Sequence, residues 1–470
     1  MKTKKWRKAL LITIGLGAVL LGNSAYTVTC ELAAPGTMAD PDFSGGPTSV
    51  TARKLITYPR VMSASNPMLA LPAQAGDVVT EWNQQAVTLA LLPASALAPN
   101  QQMRVMAIVH VAVHDAVNGI TGDYETYLSP GPAPENASPE AAAIAAAHYA
   151  LRNLFPTQAA SLDTLYADSL AAHGLSTLDP GIEYGRSAAA AILVLRANDH
   201  AAQAQFNYTA PGAGTPGVWV PLTSAPASLP GWGNVTPWVL RSSSQFRPEA
   251  PPALDSEQYA KDYNEIKQIG RLNGSTRTEL QSQIATFWRG SPTAIWNPII
   301  RQVVAARNPD LSTTARTFAL VYLAVADASI ACWEAKYTYN FWRPQSAIRN
   351  GDFDGNDLTT GEANWTPFIA TPAHPEYTSG HATNSSAMAT ILELIFDDNP
   401  GIPIAVTISG ITRQWDTFSA GVEEVINARV YSGIHYRNTD EVGARMGRQV
   451  ARFVSTHALR PCPKGKAGCS

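Results

Sequence analysis

Two cationic side chains seven positions apart are the first candidates for chemistry. Lys336 and Arg343 flank the aromatic-rich stretch YTYNFW, and Pro344 follows. Because seven residues at 100° each return a helical side chain to within about 20° of its first direction, we expect Lys336 and Arg343 to share one face of a helix that ends at Pro344. Two cations on one face repel unless an anion lies between them, and an arginine fork with a lysine ammonium suits a tetrahedral oxyanion. A solvated cationic face is the alternative, against which the aromatic residues argue.

A helix start supplies the second candidate. In the segment HPEYTSGH, residues 374–381, Ser379 is typical of an N-cap, which leaves the amides of Gly380 and His381 free at a helix N-terminus. Such amides bind anions through their unpaired N–H groups and the helix macrodipole. Gly380 lets a ligand approach the backbone, and His381 is placed to exchange protons with it. The alternative is a helix start without a ligand.

The third candidate is the segment from Arg429 to His435. Six residues on one helix would turn these two side chains to different faces, and the Ser-Gly pair between them is typical of a helix break. We therefore expect Arg429 to close one helix and His435 to lie in the turn before the next, which Thr439 or Asp440 would cap. A core histidine beside a glycine turn is the alternative.

Helical patterns surround these three segments. Apolar residues recur three and four apart with many alanines, and strand signals are nearly absent, so we predict an all-α fold of two packed helical bundles with minimal strand. The predicted helices lie at 82–92, 103–120, 138–154, 158–173, 181–198, 256–269, 277–288, 313–342, 379–396, 415–431 and 441–456.

Composition divides the chain into five segments. They are an export signal at 1–29, a flexible leader at 30–77, an N-terminal helical half at 78–205, a Pro/Gly-rich crossover at 206–254 and a C-terminal helical half with the oxyanion site at 255–470. The export signal combines a cationic start with an apolar run that is shorter than the ~20 residues of a membrane span. We therefore expect an exported protein, periplasmic or secreted, without a stable span in its mature form.

Charge and cysteine content narrow the class of function. The 470 residues carry a net charge of -3, and 15% of them are charged, so no global basic field exists to hold nucleic acid. Two of the four cysteines, Cys462 and Cys469, bracket a short loop near the C-terminus. A disulfide is expected there in an oxidising compartment, with two free thiols as the alternative. No pattern in the sequence indicates a particular oligomeric state.

The three segments match, in order and spacing, the signature of the vanadium haloperoxidases and of the wider type 2 phosphatidic acid phosphatase superfamily. That signature is Lys, six residues, Arg-Pro; then Pro-Ser-Gly-His; then Ser-Arg, five residues, His. The chain departs from it at Thr378, where the family has proline, and at Ala428, where it has serine. The long first helical half is similar to the bacterial haloperoxidase branch, whereas the acid phosphatases of the superfamily are shorter.

The resemblance implies a vanadate cofactor and a role for each residue. His435 would bond vanadium and His381 would handle protons. The vanadate oxygens would be held by Lys336, Arg343, Ser379, the Gly380 amide and Arg429. The implied reaction is oxidation of a halide by hydrogen peroxide to hypohalous acid, which halogenates an organic acceptor. His374 lies at a position that is implied to tune the halide preference.

Two other functions stay open at the level of the sequence. Phosphate shares the tetrahedral shape and charge of vanadate, and in a phosphatase His435 would be the nucleophile and His381 the acid for the leaving group. The remaining alternative is an inactive exported scaffold that only binds phosphate or vanadate. The intact cations and both histidines argue against such a loss of activity.

A pair of histidines elsewhere is a further candidate. His110 and His114 are four residues apart on a predicted helix, a spacing that can hold a metal ion. No acidic residue accompanies them at metalloprotease spacing. We therefore expect these imidazoles to make hydrogen bonds inside the helical core.

Overall fold

The computed structural model of the chain describes residues 77–463, and thirteen α-helices form most of that part. The first five are α1 (Val78–Ala90), α2 (Pro99–Thr121), α3 (Pro139–Leu154), α4 (Ala159–Ala172) and α5 (Pro180–Arg196). The other eight are α6 (Glu257–Ile269), α7 (Glu279–Phe287), α8 (Pro292–Arg307), α9 (Leu311–Tyr339), α10 (Pro344–Arg349), α11 (Gly380–Phe396), α12 (Phe418–Tyr431) and α13 (Arg437–His457). The predicted export signal at 1–29, residues 30–76 of the predicted leader, and Cys469 lie outside the described residues.

The predicted all-α class is confirmed, and within 77–463 a single antiparallel hairpin interrupts the helices. It pairs β1 (Ile404–Ile408) with β2 (Ile411–Trp415), so that Ile404 lies opposite Trp415. The helix predicted at 415–431 was wrong at its start: Trp415 ends β2, and Thr417 caps α12 by accepting from the amide of Ala420. Ser, Thr, Asp and Asn are the side chains that fix such starts.

Helix α8 was not predicted, and its sequence shows why. Pro298 lies inside it, where a proline normally removes a helical hydrogen bond. Pro292 instead occupies the first turn behind the N-cap Ser291, a position that suits proline. Burial of Ile295 and Ile299 in the core stabilises the helix despite the internal proline.

Helix α9 is the core helix that both halves share. It packs against α2 on one side and against α11 and α13 on another. Among the described helices it alone is long and apolar enough to cross a membrane, and 94% of its apolar window is buried inside the protein. Its apolar length therefore serves the interior of the fold.

The Pro/Gly-rich crossover lies across α9. Between Arg196 and Glu257 the chain forms no α-helix. The amides of Trp238, Val239 and Leu240 donate to the carboxylate of Asp327 on α9 at 2.6, 2.8 and 2.9 Å. One buried carboxylate thus fastens the middle of the crossover to the core helix.

Helices α11 and α13 approach each other closely. A Cβ added at Gly447 of α13 would lie 2.1 Å from the carbonyl oxygen of Thr383 on α11, and one added at Gly443 would lie 3.0 Å from the carbonyl oxygen of Ser379. Only glycine fits where two backbones come this near. The approach brings the first turn of α11 beside the first turns of α13, which joins the second and third predicted segments.

The two histidines of α2 lie in the core. Nε2 of His110 is 3.0 Å from Nδ2 of Asn83, and the ring stacks on Phe318. Nε2 of His114 donates to the carbonyl of Glu125 at 2.9 Å. Both imidazoles make the hydrogen bonds that were expected of them.

Candidate functional site

The first predicted segment is not a continuous helix. Helix α9 ends at Tyr339, and Asn340 follows in the left-handed conformation with a φ of 49°. Arg343 lies in extended backbone as the N-cap residue of α10, with Pro344 in its first turn. The prediction that Lys336 and Arg343 share one helical face two turns apart was therefore wrong, because Asn340 redirects the chain between them. Pro344 begins a helix here, since its fixed φ suits the first turn.

Lys336 and Arg343 nevertheless converge on one stretch of backbone. Nζ of Lys336 donates to the carbonyl oxygens of Pro375 and Glu376 at 2.9 Å each. Nε of Arg343 donates to the carbonyl oxygen of His374 at 2.9 Å. Both cationic side chains are fully buried. Two cations from different directions thus fix the segment that leads into α11.

The N-terminus of α11 faces the same region. Ser379 is the N-cap residue, and its hydroxyl accepts from the amide of Ala382. The amides of Gly380 and His381 precede that bond and lie at the positive end of the helix. Nε2 of His381 donates to the carbonyl of Gly290 at 3.1 Å, which leaves Nδ1 of the ring as the acceptor. Burial, and then the neighbouring cations, hold the pKa of His381 well below its usual range.

The third segment turns sharply between two helices. Arg429 lies in the last turn of α12, and Gly433 adopts a φ of 78°. A Cβ at Gly433 would lie 2.3 Å from the carbonyl oxygen of Gly270, so a larger residue does not fit. His435 follows in the turn before α13, which is where the sequence placed it.

The cap of α13 differs from the prediction. The N-cap residue is Tyr436, so Thr439 and Asp440 lie inside the first turn. The hydroxyl of Thr439 donates to Oε2 of Glu376 at 2.8 Å, away from the helix end. Thr439 therefore does not cap the helix, because its hydroxyl donates to the buried carboxylate of Glu376 instead.

Glu376 is the residue that sequence reasoning missed. Its Oε1 accepts from Nδ1 of His435 at 2.9 Å and from the amide of Tyr436 at 3.0 Å. The carboxylate keeps the proton of the imidazole on Nδ1, which leaves the lone pair on Nε2. Nη1 of Arg343 lies 3.1 Å from that Nε2. The available signal was that Glu376 is the single acidic residue of the segment 374–381.

Burial shifts every charge in this cluster toward its neutral form. It lowers the pKa of Lys336 to about 7, with the Arg343 charge acting in the same direction, and lowers the pKa of Arg343 and of Arg429 to about 10. It also raises the pKa of Glu376 to about 7 and that of Asp440 well above its usual range. Three cations thus face two carboxyl groups that resist ionisation. Nε of Arg429, which is buried, has no hydrogen-bond partner among the described groups. The excess of positive charge in this cluster fits an anion.

A cavity of about 380 Å³ adjoins the cluster. Five of the predicted site residues line it: His374, Gly380, His381, Arg429 and His435. Arg343 lies behind this lining and contacts it through His374 and His435. Nζ of Lys336 lies 5.7 Å from the ring centroid of the lining residue Trp333, and Ser379 precedes Gly380. The structure therefore brings all eight predicted residues to one place, five at the surface of the cavity and three in its wall.

The chain thus combines a helical fold with a cavity beside which buried cations and a helix N-terminus lie. Residues 316–463 match the family model described as the VCPO second helical-bundle domain. Among curated proteins, the chain is similar to the vanadium chloroperoxidase of Curvularia inaequalis, with 26% identity over 380 residues. That match covers 64% of this chain, and the chain spans 62% of the length of the relative.

Solved structures give the same relationship. The crystal structure of the first bacterial vanadium-dependent iodoperoxidase is similar with a TM-score of 0.70 and 26% identity, over 84% of this chain and 99% of that chain. The holo-type bacterial vanadium-dependent chloroperoxidase shares the fold with a TM-score of 0.62 and 19% identity, over 82% of this chain and 97% of that chain. The resemblance to the vanadium haloperoxidases is confirmed in sequence and in fold.

Proposed function

We propose that the protein is a vanadate-dependent haloperoxidase, which oxidises a halide with hydrogen peroxide to hypohalous acid and so halogenates an organic acceptor. One observation carries the proposal: the N-terminus of α11, His435 and Arg429 line one cavity, and the buried side chains of Lys336 and Arg343 lie directly behind that lining. The similarity to the Curvularia inaequalis chloroperoxidase and to the bacterial iodoperoxidase supports vanadate as the anion.

The donors at this cavity suit the oxygens of a vanadate ion. Lys336, Arg343 and Arg429 would neutralise its charge, and the Ser379 hydroxyl with the Gly380 amide would complete the set of donors. Nε2 of His435 would be the ligand to vanadium, because Glu376 keeps the proton on Nδ1. Bound vanadate supplies a Lewis acid that activates peroxide toward halide.

The protein's own groups control protons and water around that centre. His381 is neutral, and its free Nδ1 can accept a proton while the Gly290 carbonyl holds the other side of the ring. Trp333 and proline side chains form other parts of the lining. Because Lys336 and Arg343 are fully buried, their interactions with an anion are stronger than at a surface.

A phosphatase is the second candidate, and the Glu376–His435 pair supports it as well. A carboxylate bound to Nδ1 orients an imidazole for attack through Nε2 and stabilises the charge that develops on it. The same pair therefore serves a metal ligand and a nucleophile equally well. The two reactions must be separated by assay.

The deciding experiment compares the two reactions on one preparation. Protein reconstituted with vanadate is given hydrogen peroxide and chloride, bromide or iodide, and halogenation of phenol red is followed beside hydrolysis of p-nitrophenyl phosphate. Halogenation that requires both vanadate and peroxide supports the proposal and identifies the halide. Phosphate release without halogenation replaces it with the phosphatase, and vanadate binding without either turnover indicates a binding scaffold.

We also propose that the protein is exported. The cationic residues within 2–8 and the apolar run at 9–21 support this, as does the small polar stretch at 22–25. The N-terminus of the protein recovered from periplasm and medium is to be determined by mass spectrometry. A start between residues 23 and 30 in an exported fraction is expected from the segment boundary. Intact protein confined to the cytoplasm would contradict export.

A further inference from the structure

The cavity lining contains a carboxamide whose donor is free. Asn384 lies on α11 one turn after Gly380, hence on the same helical face. Its Oδ1 is buried in the wall of the cavity, so Nδ2 is the atom of the amide group that reaches the cavity. Nδ2 donates to no group of the described residues 77–463. This donor can therefore pair with an acceptor that enters the cavity.

The second carboxamide of the lining differs in this respect. Nδ2 of Asn100 donates to the hydroxyl of Ser329 at 2.9 Å, and its Oδ1 is buried. One polar atom of this amide group is thus occupied and the other is covered. Of the two carboxamides in the lining, only Asn384 offers a donor to a ligand.

The same lining carries positive charge. Nη1 of Arg429 donates to the carbonyl of Trp288 at 3.0 Å and its Nε is buried, which leaves Nη2 to face the cavity. The side chains of Lys336 and Arg343 lie behind the lining. A single oxyanion of one or two charges leaves part of this positive charge uncompensated. A second, small anion is therefore attracted to the cavity.

The rest of the lining is largely apolar. Nε1 of Trp333 donates to the carbonyl of Ser228 at 3.2 Å, so the indole presents carbon atoms to the cavity. Pro99 and Pro292 also border it, and the volume of about 380 Å³ exceeds what one tetrahedral ion needs. A second oxyanion would need several donors. One amide donor beside carbon surface and positive charge suits a halide ion, which is large and weakly hydrated.

We propose that Asn384 is a specificity-determining residue, whose Nδ2 donates a hydrogen bond to the halide while Arg429 supplies positive charge. The proposal rests on the haloperoxidase function proposed above. It places the halide in the cavity beside the oxyanion site, next to the carbon surface of Trp333. An amide donor binds chloride more strongly than iodide, because the charge of iodide lies at a longer distance from the donor. Asn384 therefore favours the smaller halides.

The test uses chloride as the probe and the line width of its chlorine NMR signal as the measure of binding. The protein is first saturated with vanadate, so that chloride does not occupy the oxyanion site, and peroxide is left out, so that no turnover occurs. We expect the protein to broaden the signal in a saturable way, and bromide to reverse the broadening. A signal without a saturable, protein-dependent part would overturn the proposal.

Variants locate the binding. Asn384→Leu keeps nearly the same shape and lacks the donor, so it should lower the affinity for chloride about tenfold, as expected for a hydrogen bond to a charged group. The affinity for iodide, measured as displacement of chloride, should fall by less. Asn384→Ala removes the same donor and replaces the first variant if circular dichroism shows that Asn384→Leu does not fold.

Asn153→Leu is the matched control. Nδ2 of Asn153 donates to the carbonyl of Tyr149 within α3, at the surface of the protein, so this variant should bind chloride as the unaltered protein does. An unchanged affinity for chloride in a folded Asn384 variant would overturn the proposal. Equal losses for chloride and iodide would overturn the role of Asn384 in specificity.

The outcome separates this proposal from the function on which it rests. Chloride binding needs no turnover, so binding that depends on Asn384 without halogenation supports the halide site and removes the haloperoxidase. Halogenation by a protein whose chloride binding does not depend on Asn384 leaves the haloperoxidase and removes the role of Asn384.

Discussion

Two faces of helix α9 carry buried charges of opposite sign that differ in their hydrogen-bond partners. Asp327 and Lys336 are nine residues apart, which is two and a half helical turns, so their side chains point to opposite sides. The Asp327 carboxylate accepts from three amides of the crossover. The Lys336 ammonium donates to two carbonyl oxygens and lies near a second cation, Arg343. Both side chains are fully buried.

The difference shows how a buried charge that stabilises the fold can be distinguished from one that belongs to a binding site. A buried ion is costly unless the surrounding groups complete its hydrogen bonds and balance its charge. The chain itself supplies the partners of Asp327, so that charge fastens the crossover. On the other face, Arg343 and Arg429 add to the charge of Lys336, and one guanidinium donor of Arg429 is left over. The partner that we propose for this donor is a vanadate or phosphate ion.

The largest effect is expected at His435, which we propose as the ligand of vanadium. His435→Ala should lower halogenation, or phosphate-ester hydrolysis if that is the reaction, by at least about a thousandfold, because no other group can replace Nε2. His457→Ala, an exposed histidine near the end of α13, is the control and should keep full turnover. Turnover retained by a folded His435→Ala protein would remove the site from this face of α9.

The next prediction separates the two faces directly. Sulfate, a tetrahedral dianion, serves as the probe of anion binding. Lys336→Met should weaken its binding by about a hundredfold, since charge-assisted hydrogen bonds contribute roughly 1.5–3 kcal/mol each. Asp327→Ala should leave that affinity unchanged and lower the free energy of unfolding by about 3 kcal/mol, because three amides lose their acceptor. Calorimetry and urea unfolding measure the two quantities. Two variants that change both quantities alike would show that the faces are not distinct.

A smaller effect is expected at Glu376, which acts on the site through His435. Glu376→Gln keeps an acceptor for Nδ1 and should reduce turnover about tenfold, whereas Glu376→Ala frees the imidazole and should reduce it about a hundredfold. Nitrogen chemical shifts of His435 report the tautomer independently of turnover. Unchanged shifts and rates in Glu376→Ala would show that Glu376 only stabilises the turn.

Local signals in the sequence predicted most of the helices. Apolar spacing and caps such as Ser379 are properties of neighbouring residues, so they are legible without a structure. The hairpin was missed although Ser409 and Gly410, both with positive φ, form its turn between two alternating segments. Helix α8 was missed because tertiary packing outweighs the internal Pro298.

The site could be predicted only in part, because its geometry also depends on tertiary structure. Residue types and spacing identified the three segments, but the path from Lys336 to Arg343 depends on the left-handed residue Asn340. The hydrogen bond between Glu376 and His435 joins residues 59 positions apart, so no local sequence pattern predicts it. The resemblance to a family supplied the convergence that spacing alone does not.

The last prediction is a pH dependence of anion binding at the site. Burial lowers the pKa of Lys336 from 10.5 to about 7, so its ammonium form predominates below that pH and is lost above it. Sulfate stays a dianion from about pH 6 to pH 9 and binds the ammonium form, so its affinity should be highest at the acid end and fall by up to about tenfold per pH unit above 7. Glu376 ionises over the same range, since burial raises its pKa to about 7, and its charge steepens the fall. Lys336→Met should therefore flatten the profile in part, and Glu376→Gln should remove the other part. A sulfate affinity that stays constant from pH 6 to pH 9 in the unaltered protein would show that Lys336 keeps its proton over this range. The contrast with Asp327 would then not extend to the charge state of Lys336.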